Sequence, residues 1–279
     1  MELQINGFSA NVEHMGEGPL VIALHGGPGL DHTYLRPWLD PLAQSFTLAY
    51  LDQRGSGGSP VPAGAMDDVS MATWASDVDA LRGKLGFEKC IVLGHSFGSF
   101  IALEHALRYG NTLRGLVLCE VAPVIDYPQV IGANAKERAG SDEALFGRVM
   151  GSFGRPATDD ADMERTWRDI LPVYFKQYDA KVAESMNAKM RFRAAPFNQG
   201  AGRCLPTFNV SARLGEIRVP TLIMNGRYDW ILPVAEGAER VHAGIPSSTL
   251  YVFEHSGHFP FVEEPEAFMT TLKGWLAKL

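Results

Sequence analysis

The 279-residue chain is 46% hydrophobic and 20% charged, a composition typical of an ordinary globular protein. Its length fits one large α/β domain, or one domain with an insertion, and is sufficient to bury a sizeable core. Its formal net charge of −7 argues against nucleic acid and anionic membranes as partners.

The cysteine content and the hydropathy pattern argue against further classes. The chain has 3 cysteines, an odd number, and their positions predict neither a disulfide framework nor a zinc site. No stretch approaches about 18 continuous apolar residues, and no basic-plus-apolar leader opens the chain. We therefore expect a soluble, cytoplasmic protein without a metal centre.

Apolar runs of strand length alternate with helical patterns along the chain. Strands are predicted over 20–24, 46–51, 90–93, 113–119, 219–224 and 249–253. Helices are predicted over 71–85, 99–109 and 265–279, with Ser70 as the N-cap of the first. Alternation of this kind predicts a parallel sheet with helices on both faces.

One long segment interrupts this alternation. Between 124 and 214 no clear buried strand is present, and helical patterns such as 164–175 and 181–192 dominate. Because the segment is too long for a loop, we predict a helical cap at 124–214, inserted into a core domain made of 1–123 and 215–279. A few of its apolar side chains are expected to roof a pocket, from the group Phe146, Met150, Trp167, Tyr174, Phe175, Met186, Met190 and Phe192.

The first indication of chemistry is Gly94-His95-Ser96-Phe97-Gly98, which matches G-x-S-x-G. The motif follows an apolar strand and precedes a helical pattern, so it predicts a strand, a very tight turn and a helix. Glycines on either side of Ser96 leave room where a Cβ would collide. We expect Ser96 to be a nucleophile above the end of the sheet. The alternative is a serine that only caps the helix.

Two further motifs follow predicted strands, at the edge where open α/β sheets bind ligands. The first is His25-Gly26-Gly27-Pro28-Gly29, whose glycines let backbone N–H groups turn inward. The N–H groups of Gly27 and Phe97 are the expected oxyanion hole, and a plain tight turn is the alternative. The second motif contains Asp52 and Arg54, which are expected to hold the first loop in place.

A serine hydroxyl needs a base, and that base needs an orienting carboxylate. His258 follows the last predicted strand in a loop that should reach Ser96, and we prefer it to His255, its neighbour in the same loop. Asp229 follows another predicted strand and is the preferred acid. Glu120 follows a third strand and is the rival acid. A helix-capping role is the alternative for Asp229.

Together these motifs resemble a known family. H-G-G-P-G, D-Q-R-G-S-G, G-x-S-x-G, G-x-x-D and G-H, in this order, are similar to the proline iminopeptidase-like branch of the α/β-hydrolase superfamily, the S33-type peptidases. The resemblance runs from Leu20 to the C-terminus and is loose over the cap. It implies an eight-stranded, mostly parallel sheet, a helical cap and no cofactor. It also implies Ser96, Asp229 and His258 as a catalytic triad, in the chain order of α/β-hydrolases.

The chain departs from this family where such peptidases bind the free ammonium group of a substrate. The resemblance implies one glutamate directly after the triad aspartate and another in the cap. This chain has Trp230 at the first position and Phe197-Asn198-Gln199 in the second region. Amides accept hydrogen bonds from an ammonium group but supply no charge. The residues expected to line the substrate pocket are Gly26, Glu120, Trp230, Phe197 and Asn198.

These observations predict a serine hydrolase that cleaves small, largely apolar carboxylic esters, lactones or amides through an acyl-enzyme. Its expected partner is a small-molecule ester, an amide or a short peptide, and the oligomeric state stays open. The first alternative is a proline iminopeptidase-type aminopeptidase, with Glu120, Asp179 or Glu184 supplying the missing charge. The second alternative is a slow-turnover ligand receptor on the same fold.

Overall fold

The computed structural model describes residues 1–152 and 154–279. Its strands are β1 (Glu2–Ile5), β2 (Phe8–Met15), β3 (Leu20–Leu24), β4 (Thr47–Leu51), β5 (Cys90–His95), β6 (Leu113–Cys119), β7 (Thr221–Gly226) and β8 (Ser248–Phe253). They form one sheet in the order β1-β2-β4-β3-β5-β6-β7-β8. The β1–β2 and β2–β4 pairs are antiparallel, and every other neighbouring pair is parallel. This confirms the predicted eight-stranded, mostly parallel sheet.

The centre of the sheet is buried on both faces. Every residue of β3, β5 and β7 is buried, and successive side chains of a strand point to opposite faces. Continuous apolar runs are typical of strands in that position, which is why these strands were predictable. The sequence pattern does not predict β1 and β2, because polar residues such as Asn11 and Glu13 alternate with buried ones in this edge hairpin.

The helices are α1 (Met71–Lys84), α2 (Phe97–Tyr109), α3 (Pro128–Ala139), α4 (Glu143–Ser152), α5 (Asp160–Ile170), α6 (Ala180–Asn187), α7 (Ala194–Gln199), α8 (Ala238–Gly244), α9 (Pro260–Glu263) and α10 (Pro265–Leu276). Helix α1 begins as predicted, since Ser70 and Thr73 form a reciprocal capping box at its N-terminus. In the part of the chain that the structure describes, none of these helices combines the length and the apolar composition needed to span a bilayer.

Helices α3 to α7 all lie between β6 and β7, in the segment predicted to be the cap. The two ends of this segment lie side by side. Val124 and Asn209 form an isolated antiparallel bridge, and the N–H of Val210 donates to the carbonyl of Pro123 at 3.0 Å. The chain therefore leaves the sheet region and returns to it through one narrow connection.

Two helices of this segment are shorter than the sequence pattern predicts. The helix predicted over 164–175 ends at Ile170 and continues as a 3-10 turn over Leu171–Tyr174. Pro172 has no N–H for the next bond of an α-helix, which explains the change. The helix predicted over 181–192 ends at Asn187.

Candidate active site

Ser96 lies in a strained turn between β5 and α2. Its backbone has φ 53° and ψ −119°, a conformation that residues other than glycine rarely adopt. A Cβ on Gly94 would collide with the carbonyl of Gly98, and one on Gly98 would collide with the carbonyl of Leu24. Both glycines are therefore needed for this turn. The Ser96 side chain makes no capping hydrogen bond to α2, which argues against a serine that only caps the helix.

His258 and Asp229 form a buried pair. Nδ1 of His258 lies 2.7 Å from Oδ2 of Asp229. The other carboxylate oxygen of Asp229 accepts the N–H groups of Ile231 at 3.0 Å and Leu232 at 3.1 Å. Asp229 thus combines an orienting contact to the imidazole with a capping contact to the turn that follows it.

The surroundings of Asp229 keep its carboxylate ionised. Burial by itself would raise the pKa of this carboxyl. The charge and hydrogen bond of His258 and the N–H of Leu232 outweigh burial and lower the pKa to about 2. A carboxylate can only accept, so Nδ1 of His258 must carry the proton of the imidazole. Nε2 then has the lone pair that a general base needs.

His258 lies on a loop that contacts the segment between β6 and β7. Its N–H donates to the carbonyl of Tyr174 at 2.7 Å, and the N–H of Gly257 donates to Glu263 at 2.7 Å. The rings of Tyr174 and His258 pack edge to face, with their centroids 5.2 Å apart. His255, the competing histidine, is exposed. Of the two histidines, the fold brings His258 to Asp229.

Ser96 and His258 line the same cavity, which has a volume of about 70 Å³. Gly27 and Phe97 line it as well, as expected for the residues of an oxyanion hole. Phe97 is the first residue of α2, so its N–H has no acceptor within the helix. Among the described residues no carboxylate lines this cavity. The remaining lining is Gly26, Leu30, Tyr34, His95, Phe100, Ile125, Trp167, Tyr174, Leu205, Ile231, Leu232 and Phe259.

A chain of three hydrogen bonds joins the loop after β3, the Ser96 turn and the loop of His258. The N–H of Gly26 donates to the hydroxyl oxygen of Tyr34 at 2.6 Å, and that hydroxyl lies 2.6 Å from Nδ1 of His95. Nε2 of His95 lies 2.9 Å from the carbonyl oxygen of His258. Because a carbonyl oxygen can only accept, Nε2 carries the proton and Nδ1 accepts from Tyr34. Burial and the charge of His258 lower the pKa of His95 to about 3, so its ring stays neutral.

Phe197 and Asn198 of α7, which were expected to line the pocket, do not line the cavity. The side-chain oxygen of Asn198 accepts the N–H of Ala157 at 2.8 Å, and its nitrogen donates to the carbonyl of the same residue at 2.9 Å. Phe197 approaches Gly29. These contacts hold α7 against the chain at Ala157 and against the loop after β3.

Trp230 and Glu120 also lie outside the lining, although both were expected in it. Trp230 is buried, and its ring packs edge to face against Tyr174 with centroids 5.3 Å apart. Glu120 is buried beside the Asp229 carboxylate. Of the five expected pocket residues, Gly26 alone lines the cavity. The sequence signal for the lining was the group of aromatic residues between 124 and 214, of which Trp167 and Tyr174 line the cavity.

The loop after β4 supports the loop after β3 through Asp52. Its carboxylate accepts the N–H of His32 at 3.1 Å and lies 2.7 Å from Nδ1 of the same ring. Arg54 was expected to help, but it binds Asp77 of α1 at 2.7 Å instead. Arg54 therefore joins this loop to a helix rather than to the loop after β3.

Glu120, Asp229 and His258 form the one cluster in the described part of the chain with the spacing of a metal site. One oxygen of each acid and one ring nitrogen lie within 4.8 Å of one another. Within this cluster, His258 and Asp229 are joined by the hydrogen bond of 2.7 Å.

Comparison with known proteins gives the family. Residues 19–265 match the family model described as alpha/beta hydrolase fold. A proline iminopeptidase from Saccharolobus solfataricus is 27% identical over 270 residues, which cover 94% of this chain and 86% of that protein. The solved structure of a thermophilic esterase from Thermogutta terrifontis is 26% identical with a TM-score of 0.72, covering 100% of this chain and 98% of that one.

A second solved structure supports the fold alone, since its identity is low. It is the proline iminopeptidase of Mycobacterium smegmatis, with a TM-score of 0.79 at 20% identity, covering 100% of this chain and 97% of that one. The matched region includes every strand from β3 to β8 and the turn of Ser96. The chain belongs to the α/β-hydrolase fold family of enzymes and resembles its proline iminopeptidase-like branch.

Proposed function

We propose that the protein is a serine hydrolase of small, uncharged, largely apolar carboxylic esters, lactones or amides. The observation that carries this proposal is the cavity shared by Ser96 and His258, whose lining is mostly apolar and, among the described residues, contains no carboxylate. An uncharged acyl group loses little hydration energy in such a site, whereas an ammonium group would be buried without a counter-charge.

The proposed reaction uses Ser96, His258 and Asp229 in distinct roles. Ser96 Oγ attacks the carbonyl carbon while Nε2 of His258 takes its proton. The anion of Asp229 stabilises the imidazolium that forms. His258 then returns the proton to the leaving group, and an acyl-enzyme remains. Water, activated by the same imidazole, hydrolyses the acyl-enzyme and releases the acid.

We assign the oxyanion hole to the N–H groups of Gly27 and Phe97. The N–H of Gly26 is engaged with Tyr34, so it cannot serve as the donor from this loop. The N–H of Phe97 adds the partial positive charge of a helix N-terminus. These donors would stabilise the negative charge that develops on the carbonyl oxygen.

We also propose that 124–214 forms a cap which closes the acyl side of the site. Four lining residues come from this segment: Ile125, Trp167, Tyr174 and Leu205. A cavity of about 70 Å³ has room for about five to seven water-sized groups, at about 10–15 Å³ for each. The preferred acyl groups should therefore be short. A cytoplasmic location and a small-molecule partner are part of the same proposal, on composition alone.

Aminopeptidase activity is the second candidate, because one relative, whose match covers 94% of this chain, is a proline iminopeptidase. Such activity needs an anion for the substrate's free amine. Of the acids considered for that role, Glu120 and Asp179 lie outside the lining, and Glu184 is exposed and paired with Arg168 at 2.8 Å. We therefore place this candidate second.

One experiment tests both candidates. Purified protein is assayed with para-nitrophenyl acetate, butyrate and octanoate, and with prolyl and alanyl para-nitroanilides in free and N-acetylated form. We expect the highest kcat/KM for acetate or butyrate, and no loss when the amine is acetylated. A preference for free prolyl anilide that acetylation abolishes would put the aminopeptidase first.

The nucleophile is tested in parallel. A fluorophosphonate probe should label Ser96, as identified by peptide mapping, and Ser96→Ala should be neither labelled nor active while keeping its melting temperature. Ser211→Ala, at an exposed position, is the matched control and should behave as the wild type. Labelling of another residue would remove the assignment of Ser96.

A further inference from the structure

We propose that Glu120 is a positioning residue which, as an un-ionised carboxylic acid, donates a hydrogen bond to Asp229 and so holds it for His258. This inference rests on the proposed function, because it concerns how the acid of that site is oriented. From the sequence, Glu120 is an alternative to Asp229, that is, the acid that contacts the histidine. The role proposed here is different, because Glu120 acts on Asp229.

The backbone places Glu120 directly behind Asp229. Glu120 follows the last residue of β6, and its N–H donates to the carbonyl of Met224 in β7 at 2.9 Å. One of its carboxyl oxygens, Oε1, accepts the N–H of Gly226 at 2.7 Å. The side chain therefore bridges the ends of two neighbouring strands, and Asp229 follows the second of these strands.

The conformation of Glu120 is unusual for its residue type. Its φ is 54°, in the left-handed region where glycine or asparagine is more easily accommodated, and its side chain is completely buried. Such strain persists where the surroundings require a particular side chain. The strain is thus consistent with a role for the carboxyl group itself.

The second oxygen of Glu120, Oε2, receives no hydrogen bond from the part of the chain that the structure describes. One carboxyl oxygen of Glu120 lies within 4.8 Å of an oxygen of Asp229 and a ring nitrogen of His258. Two carboxylates so close in a dry site repel each other, and one of them takes up a proton. A proton on Oε2 makes Glu120 a hydrogen-bond donor, and the carboxylate of Asp229 is the acceptor.

The charged groups around Glu120 favour the proton on this residue rather than on Asp229. Burial and the negative charge of Asp229 raise the pKa of Glu120 well above its usual range, and Glu263 of α9 adds to the rise. The N–H of Gly226 opposes the rise. Asp229 has His258 as a partner that lowers its own pKa, so it remains the anion.

Cys119, on the same strand end, is the other titratable neighbour. Burial raises the pKa of its thiol well above the usual value, so it stays neutral. The acid–acid–imidazole cluster therefore holds one negative charge in its resting form. That charge is on the residue which faces His258.

Two substitutions separate this proposal from a purely structural role. Glu120→Gln keeps an acceptor for Gly226 and a neutral N–H donor toward Asp229, so its kcat should stay within about threefold of the wild type. Glu120→Leu removes the donor, and kcat should fall by about tenfold to a hundredfold with KM nearly unchanged, because Asp229 is no longer held in place. Glu104→Leu, at a buried glutamate of α2, is the control and should leave kcat unchanged.

A substrate-independent measurement completes the test. The infrared difference between wild type and Glu120→Gln at neutral pH should contain the C=O stretch of an un-ionised carboxylic acid. This measurement needs no substrate, so it tests Glu120 even if the proposed reaction is wrong. Failure of the proposed function and failure of the proposal for Glu120 can therefore be told apart. A carboxylate band for Glu120, or a folded Glu120→Gln variant as inactive as Glu120→Leu, would overturn the proposal. Full activity of Glu120→Leu would overturn it as well.

Discussion

The hydroxyl of Tyr34 lies 2.6 Å from Nδ1 of His95, with both side chains buried. Each group has a second partner, so the pair joins the N–H of Gly26 to the carbonyl of His258. Gly26 precedes a proposed oxyanion donor, and His95 precedes Ser96. This one contact therefore fixes the relative positions of the three loops that form the proposed site.

Tyr34→Phe removes the hydroxyl and leaves two buried polar groups without this partner. We expect a loss of about 1–3 kcal/mol in the free energy of unfolding and a fall in kcat of about tenfold, with little change in KM. The measurements are urea denaturation and steady-state kinetics. Tyr50→Phe is the matched control, since the hydroxyl of Tyr50 also donates a hydrogen bond, to Asp40 at 2.7 Å. Equal effects of both variants on kcat would contradict a positioning role for Tyr34.

His258→Ala should abolish most of the activity, whereas His255→Ala should leave it nearly intact. The proposed base is the histidine paired with Asp229, and residues of a triad act as a unit, so the expected loss is about 10⁴–10⁶ in kcat. His255 is exposed and serves as the matched control. Asp229→Asn should cost about 10⁴, because the imidazole would take the wrong tautomer. The assignment fails if His255→Ala is the more damaging change.

Gly94→Ala should prevent the Ser96 turn from forming. A Cβ at this position would overlap the carbonyl of Gly98, and the backbone cannot move without shifting α2. We expect little soluble protein, or protein with a lowered melting temperature and no probe labelling of Ser96. Gly83→Ala in α1 is the control, since its Cβ meets nothing within 4 Å. It should raise stability by about 0.5–1 kcal/mol.

His105 in α2 makes stability depend on pH. Its ring is fully buried, and neither ring nitrogen has a hydrogen-bond partner in the described residues. Burial lowers the pKa of this imidazole to about 4 in the folded state, against about 6.5 in the unfolded chain. The unfolded state therefore binds more protons between these values, and folding is destabilised as the pH falls below about 6.5.

His105→Phe should remove this dependence. Relative to the wild type, its advantage in unfolding free energy should be larger by about 2 kcal/mol at pH 5 than at pH 7.5, from the two pKa values. Urea denaturation at both pH values measures the difference. His14→Phe, at an exposed position of β2, is the matched control. An equal gain at both pH values would contradict the lowered pKa of His105 in the folded state.

Local patterns were sufficient to predict the sheet and the turn at Ser96. A strand buried on both faces needs a continuous apolar run, as in β3 and β5, and these runs are readable in a single sequence. The glycines of G-x-S-x-G likewise report a backbone requirement that other residues cannot meet. The same patterns were insufficient for β1 and β2, where one side of the hairpin is exposed and polar residues weaken the signal.

The lining of the cavity and the buried polar contacts depended on residues far apart in the chain. Tyr34 meets His95 because β3 lies beside β5, and Glu120 meets Asp229 because β6 lies beside β7. The Asn198 side chain does not line the cavity, because its amide oxygen and nitrogen both hydrogen-bond to the backbone of Ala157. The direction of each of these side chains depends on partners that only the tertiary structure brings together. The spacing of motifs along the sequence therefore does not predict it.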